Sequence, residues 1–276
     1  MMIDYVLPAA IFFCMIILHV LRRKELQIRG VKLVNPKYSV GAATTLGTRI
    51  SQQDYFGVKE NSGAMLVVLA DGSGEQGDIA AKISVDTFRD LFANKAAVDK
   101  PQYFFRRAAN ATNKKILNVL EERQGFSSVA AVVINDSTLV YSLVGNCRVA
   151  VFRNGDLIPV SEGQTIDVLA RHRYEEGRIS KLQTLALLDR HRLYNVLGQD
   201  AFQDIELFSK PLTITPKDLV VVFSEGVSNV LRWKELEDIL DAGDPPQILA
   251  DEIIRRVNQS SFVDKPNATV LICRLL

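Results

Sequence analysis

Apolar residues follow three patterns along the chain, and each predicts a different kind of element. Residues 6–21, VLPAAIFFCMIILHVL, form a nearly unbroken apolar run with only Pro8 and His19 as exceptions. From residue 38 onward the runs shorten. Residues 38–43, 55–58, 65–70, 129–134, 138–144, 148–152, 157–160 and 268–275 are rich in apolar and β-branched residues and read as strands. Residues 60–63 join the second and third of these as a hairpin, and Asn154-Gly155 is a type I′ hairpin signal. Helical spacing carries Ile79, Ile83, Phe88, Leu91 and Phe92, and again Phe105, Ala108, Thr112, Ile116, Val119 and Leu120 after Pro101. Residues 164–198 are charged and helix-leaning, and two further helices are predicted over 233–241 and 246–260. A hairpin, two long helices, a run of antiparallel strands and a closing helix pair argue for packed layers of the α+β class.

One stretch organises this pattern. Residues 66–81, LVVLADGSGEQGDIAA, read as a buried strand, a glycine loop and a helix start. Asp71 ends the apolar run, and Gly72, Gly74 and Gly77 let a ligand approach the backbone, which suits either a metal or a phosphate site. The glycines satisfy G-x-G-x-x-G, but a dinucleotide fold needs the helix to return into a second parallel strand, whereas here a second helix follows. A plain glycine turn with Asp71 on the surface is the other simple reading. Residues 218–226, DLVVVFSEG, repeat the logic: a buried strand ends in a small residue, an acid and a glycine.

Composition narrows the class. At 276 residues, 47% hydrophobic and 24% charged, the chain buries a core of one large domain or two small ones. A net charge of +1 gives no overall field for nucleic acid, and none is expected as a partner. Cys14, Cys147 and Cys273 share no metal-like spacing and read as unpaired thiols of a reducing compartment. The basic run of Arg171, His172, Arg173, Arg190, His191 and Arg192 suits an acidic or phosphorylated partner, but the solvated face of helices explains it more simply.

The apolar run at 6–21 is about 24 Å long as a helix, a little short of the roughly 30 Å hydrocarbon core. Asp4 lies before it, and Arg22, Arg23 and Lys24 follow it with no small-residue cleavage pattern, which favours an anchor over a cleaved signal peptide. The expectation is a single transmembrane anchor at 1–24, a juxtamembrane linker at 25–37 and a domain at 38–276. The basic residues after the span place that domain on the cytoplasmic side of the membrane.

Five segments of 38–276, taken in order, resemble the metal-dependent serine/threonine protein phosphatases, the PPM or type 2C family. RISQQD, residues 49–54, resembles the family's R-x-x-N-E-D segment, and ADGSG, residues 70–74, its D-G-x-G-G loop. LVGNCRVAVFRNG, residues 143–155, is similar to the V-G-D-S-R strand and hairpin. FSEGVSN, residues 223–229, stands where S-D-G-x-x-D is expected, and PNATVLIC, residues 266–273, resembles the closing D-N-x-T strand. The resemblance implies a four-layer α-β-β-α sandwich in which acidic ligands hold two Mg²⁺ or Mn²⁺ ions.

Carried over residue by residue, the resemblance makes Arg49 the phosphate-binding arginine and Asp54 the acid that orients water. Asp71, Gly72 and Glu225 become metal ligands. Gln53 and Pro266 occupy positions where the family has a glutamate and an aspartate, so two formal negative charges are lost. Asn146 and Asn229 replace further aspartates, Glu225 replaces an aspartate, and Ser73 and Gln164 stand where other polar residues are common. Asp264 would restore an acid if the loop before Asn267 shifted. The expectation is a membrane-anchored pseudophosphatase, inactive or very weak, that holds Mg²⁺ or Mn²⁺ weakly or not at all and binds a protein partner through a phosphorylated segment. The alternatives are an active Mn²⁺- or Mg²⁺-dependent phosphatase with an unusual site and, from another class, a structural subunit of a membrane complex.

Overall fold

The computed structural model describes residues 37–188, 192–200, 202 and 204–276. The anchor expected at 1–24 and all but the last residue of the linker expected at 25–37 lie outside the described residues. Among the described residues, no helix is long and apolar enough to cross a membrane.

The domain opens with β1 (Tyr38–Thr45), followed by the hairpin of β2 (Asp54–Asn61) and β3 (Ala64–Ser73). Ser62 and Gly63 turn that hairpin with φ of 52° and 83°. Three helices follow: α1 (Gly77–Phe92), the short α2 (Ala96–Asp99) and α3 (Pro101–Leu120), the last with proline at its first position, where no amide hydrogen is needed. A second strand series comes next, with β4 (Phe126–Asn135), β5 (Thr138–Val144), β6 (Arg148–Arg153) and β7 (Asp156–Pro159). Asn154 and Gly155 make the β6–β7 turn with φ of 56° and 90°, as their sequence predicts.

The remaining elements are α4 (Ile166–Glu175), α5 (Lys181–Leu185), β8 (Glu206–Leu207), β9 (Leu212–Thr213), β10 (Leu219–Phe223), α6 (Glu225–Val230), α7 (Trp233–Leu240), α8 (Pro246–Gln259) and β11 (Ala268–Leu275). The strands form two antiparallel sheets. One runs β1-β11-β10-β6-β7, and the other runs β2-β3-β4-β5-β8 with β9 also paired to β5. Helix α1 packs on β3 and on α3, and α8 packs on β1 and β11. This is the expected α-β-β-α layering.

The layering explains the unbroken apolar runs. Residues from Ala64 to Ala70 of β3 are almost wholly buried, because one face meets α1 and the other meets the opposing sheet. On the helical side, Phe88, Phe92, Phe104 and Phe105 form one aromatic cluster with ring centroids 5.2 to 6.2 Å apart. On the other side, Ile239, Leu249, Ile253 and Val257 of α7 and α8 pack with Val221, Phe223 and Ile272 of the first sheet.

Three local differences from the sequence reading matter. Strand β3 does not stop at Asp71. Asp71, Gly72 and Ser73 pair with Ser128, Ser127 and Phe126 of β4, so ladder hydrogen bonds extend the strand past the end of its apolar run. The strands β8 and β9 have two residues each, too short to leave a period in the sequence. Both neighbours of β3 run antiparallel to it, which excludes the parallel unit a dinucleotide loop requires.

Candidate functional site

The ends of β1, β3 and β10 and the starts of β2 and β11 meet at one end of the sandwich. The loops that connect them enclose a cleft of about 580 Å³, lined among others by Arg49, Gln53, Asp71, Gly72, Glu225 and Asn267. Antiparallel pairing is what gathers these residues: Asp54 lies directly opposite Asp71 in the β2–β3 ladder, and Glu225 opens α6 immediately after β10.

Asp54 lies behind the cleft wall and is buried. Its Oδ2 accepts a 2.8 Å hydrogen bond from Ser224 Oγ, while Oδ1 is buried with no protein partner. Burial pushes this carboxyl up to about 6, against the opposing effect of hydrogen bonds from Thr269 and Ser224. Ser224 is itself held at both sides: its amide donates to Thr269 O and its hydroxyl accepts from Thr269 N, each at 2.9 Å. Asp71 is raised well above the usual carboxylate range, first by burial and then by repulsion from Asp54 and Glu225. Cys147 lies fully buried against this group, and its thiol is pushed up by burial and then by Asp71, Asp54 and Glu225.

Close backbone approach holds the cleft loops. Gly72 N donates to Gln53 O at 3.0 Å, and a Cβ on Gly72 would sit 2.1 Å from Gly77 O. A Cβ on Gly226 would sit 1.9 Å from Asn267 O. Asn267 ties the loop between β1 and β2: its Oδ1 accepts from Gln53 N at 2.9 Å, and its Nδ2 donates to Leu46 O and Ser51 O at 3.0 and 3.1 Å. Gln53 Nε2 donates to Gly74 O at 2.9 Å, so this side-chain amide braces the glycine loop.

The expected site residues thus fall into two groups. Arg49, Gln53, Asp71, Gly72, Ser73, Glu225 and Pro266 line the cleft, and Asp54 supports it from behind. Asn146 is buried and accepts from Ser128 Oγ at 2.9 Å, while Gln164 is buried and bonded to Gly145 N and Asn195 Nδ2. Neither lines the cleft: both hold the turn that follows β5. Asn229 is exposed on α6. Asp264 lies on the loop before Asn267 and outside the cleft lining. Its carboxylate faces Arg49, at 3.3 Å from Nη2 and 3.2 Å from Nη1. Ser224 and Thr269, which hold Asp54, are the serine and the threonine of the segments compared with S-D-G-x-x-D and D-N-x-T, and neither was given a role from the sequence.

The basic run at 171–192 is partly described. His172 Nε2 is bonded to Glu162 Oε2 at 2.5 Å, and Arg171 lies 3.9 Å from Asp167 one turn before it on α4, so these side chains are engaged within the chain; Arg190 and His191 lie outside the described residues. Among the described residues, no three or more His, Cys, Asp or Glu side chains are arranged to hold a metal ion.

No protein-family profile matches the chain. In sequence it is similar to the serine/threonine phosphatase stp of Listeria welshimeri, 26% identical over 234 residues that cover 81% of this chain and 90% of that protein. It is also 22% identical over 232 residues to the protein phosphatase PhpP of Streptococcus pneumoniae, covering 81% and 92%. In structure it is similar to the S. agalactiae serine/threonine phosphatase, with a TM-score of 0.74 and 19% identity over 87% of this chain and all of that one. The PPM Ser-Thr phosphatase MsPP from Mycobacterium smegmatis, solved in complex with cacodylate, superposes with a TM-score of 0.69 at 20% identity, covering 86% and 98%.

Proposed function

From a chain that has the PPM phosphatase fold and is similar in sequence to bacterial serine/threonine phosphatases, we propose a membrane-anchored phosphoprotein-binding domain whose metal site is reduced to one weak cation position. It binds phosphorylated serine or threonine segments and hydrolyses them very slowly or not at all.

The observation that carries this reading is the uneven survival of the site. Asp71, Glu225 and the Gly72 backbone line the cleft, and Asp71 and Asp54 are crowded carboxyls that prefer a positive neighbour. Two lining carboxylates and a backbone carbonyl are a donor set that would suit one weakly held divalent cation, short of the three side-chain ligands of a dedicated metal site. The second position lacks its donors, because Gln53 turns its amide to Gly74 O and Pro266 offers no side-chain ligand. Two ions close together need dense anionic compensation, which is absent.

A divalent cation bound there would supply Lewis-acid polarisation of a phosphoryl oxygen. The chain's own residues do the rest. Asp71 and Glu225 hold the charge at the cleft floor, Asp54 adds a third buried carboxyl behind them, and Arg49 offers its forked guanidinium to the phosphate oxygens. Membrane attachment rests on residues 6–21 and the basic residues after them.

Calorimetric titration of the full chain with Mn²⁺ tests the reading: one weak site is expected, and Asp71→Ala abolishes it. Two saturable sites, together with Mn²⁺-dependent hydrolysis of a phosphothreonine peptide lost in Asp71→Ala, would instead support the second reading, an active phosphatase that keeps Asp54, Asp71 and Glu225. Membrane attachment is tested by sedimentation with vesicles, which should fail when residues 1–24 are removed.

A further inference from the structure

At the mouth of the cleft, two loops run side by side. Thr48 N donates to Lys265 O at 3.0 Å, and Arg49 and Asp264 form the ion pair across the gap. The residues next to that pair are Ile50 and Val263. With relative exposures of 101% and 88%, they are the two most exposed large apolar side chains among the described residues. Scattered exposed apolar residues need no explanation, but here the two extremes flank one charged contact at the mouth of one cleft. Phe262, half exposed, lies one residue further along the same loop.

The ion pair is itself open to exchange. Its side chains are 49% and 72% exposed, so water screens the attraction and the carboxylate is held weakly. A phosphate monoester carries about −1.5 to −2 charge and three acceptor oxygens, and competes well for a guanidinium. Asp264 therefore occupies Arg49 as a monoanionic stand-in, within a rim whose apolar side chains have nothing to cover them.

We propose that residues 48–50 and 262–264 form a specificity subsite: the phosphate of a phosphorylated segment displaces Asp264 from Arg49, and an apolar residue beside the phosphorylated one packs on Ile50 and Val263. The ligand class is a phosphoserine or phosphothreonine segment with a large aliphatic neighbour. This rests on the reading of the cleft as a phosphate-binding site, and it adds which sequences the cleft selects and what holds Arg49 when it is empty.

Fluorescence anisotropy of the full chain with three synthetic peptides tests the proposal. One carries phosphothreonine between leucines, one carries phosphothreonine between glycines, and one carries unphosphorylated threonine between leucines. The leucine phosphopeptide should bind about 10-fold tighter than the glycine one, the return for covering one aliphatic side chain. The I50S/V263S variant should bring its affinity down to that of the glycine peptide. Asp264→Asn should tighten both phosphopeptides by roughly 3-fold, as expected for releasing an exposed pair. Equal affinities of the two phosphopeptides for the unmodified chain would overturn the subsite while leaving phosphate binding intact. Weaker phosphopeptide binding in Asp264→Asn would overturn the displacement. Failure of both phosphopeptides to bind, or equal binding of the unphosphorylated leucine peptide, would overturn the subsite and the phosphate-binding reading together.

Discussion

Asp54 concentrates the site's electrostatics in one side chain. Its carboxyl, lifted from 3.8 to about 6 by burial, binds a proton more tightly in the folded chain than in the unfolded one. Its contribution to stability is therefore complete below about pH 4 and is lost as pH rises through about 6, a change of about 3 kcal/mol. Asp71 is raised too and adds in the same direction. Urea unfolding of the metal-free protein should accordingly show stability falling between pH 4 and pH 6.5, and Asp54→Asn should flatten that part of the profile. A cation competes with these protons, so stabilisation by Mn²⁺ should grow as pH rises over the same interval. Ser224→Ala leaves the buried Oδ2 of Asp54 without its hydroxyl donor and should cost about 1–3 kcal/mol in the same assay.

Elements place these residues through contacts that tolerate no added atom. At the start of α6, a methyl on Gly226 would lie 1.9 Å from the Asn267 carbonyl, against backbone that cannot swing away. Gly226→Ala should therefore displace Glu225, lower the unfolding free energy in urea by about 2 kcal/mol or more, and weaken Mn²⁺ binding together with stability. Phe105 of α3 offers the contrast. It is fully buried in the aromatic cluster and lines no part of the cleft, and Phe105→Ala should cost about 3–5 kcal/mol while the Mn²⁺ affinity of the folded protein stays unchanged. Helix α7 is fastened by Trp233, whose Nε1 donates to Leu157 O at 2.6 Å and so links the helix layer to the edge strand β7.

For the molecule as a whole, the described domain closes on itself: Leu276 N donates to Lys37 O at 2.9 Å, so the last residue pairs beside the first described one. A fragment of residues 37–276 should give one cooperative unfolding transition, read by circular dichroism, and Mn²⁺ should raise its unfolding free energy along a one-site curve, by about 2.7 kcal/mol at a hundredfold excess over Kd. The sequence by itself determined the layered fold, because strands buried on both faces and helices with one apolar stripe leave plain periods, and β5 and β11 match their apolar runs at both ends. It also determined which site positions keep a carboxylate, since charge is a property of residue identity. Tertiary structure alone decided what those residues face. Pairing of Asp71 to Asp54 on one side and Ser128 on the other extends β3 beyond its apolar run, a register that no local pattern encodes. Asp264, 215 positions from Arg49, meets it only because β1 and β11 are neighbours in one sheet, and the same pairing brings the segments that carry Ile50 and Val263 side by side. Residue identity fixes charge and period, but which charges meet depends on long-range strand pairing, and that is settled only when the two sheets close.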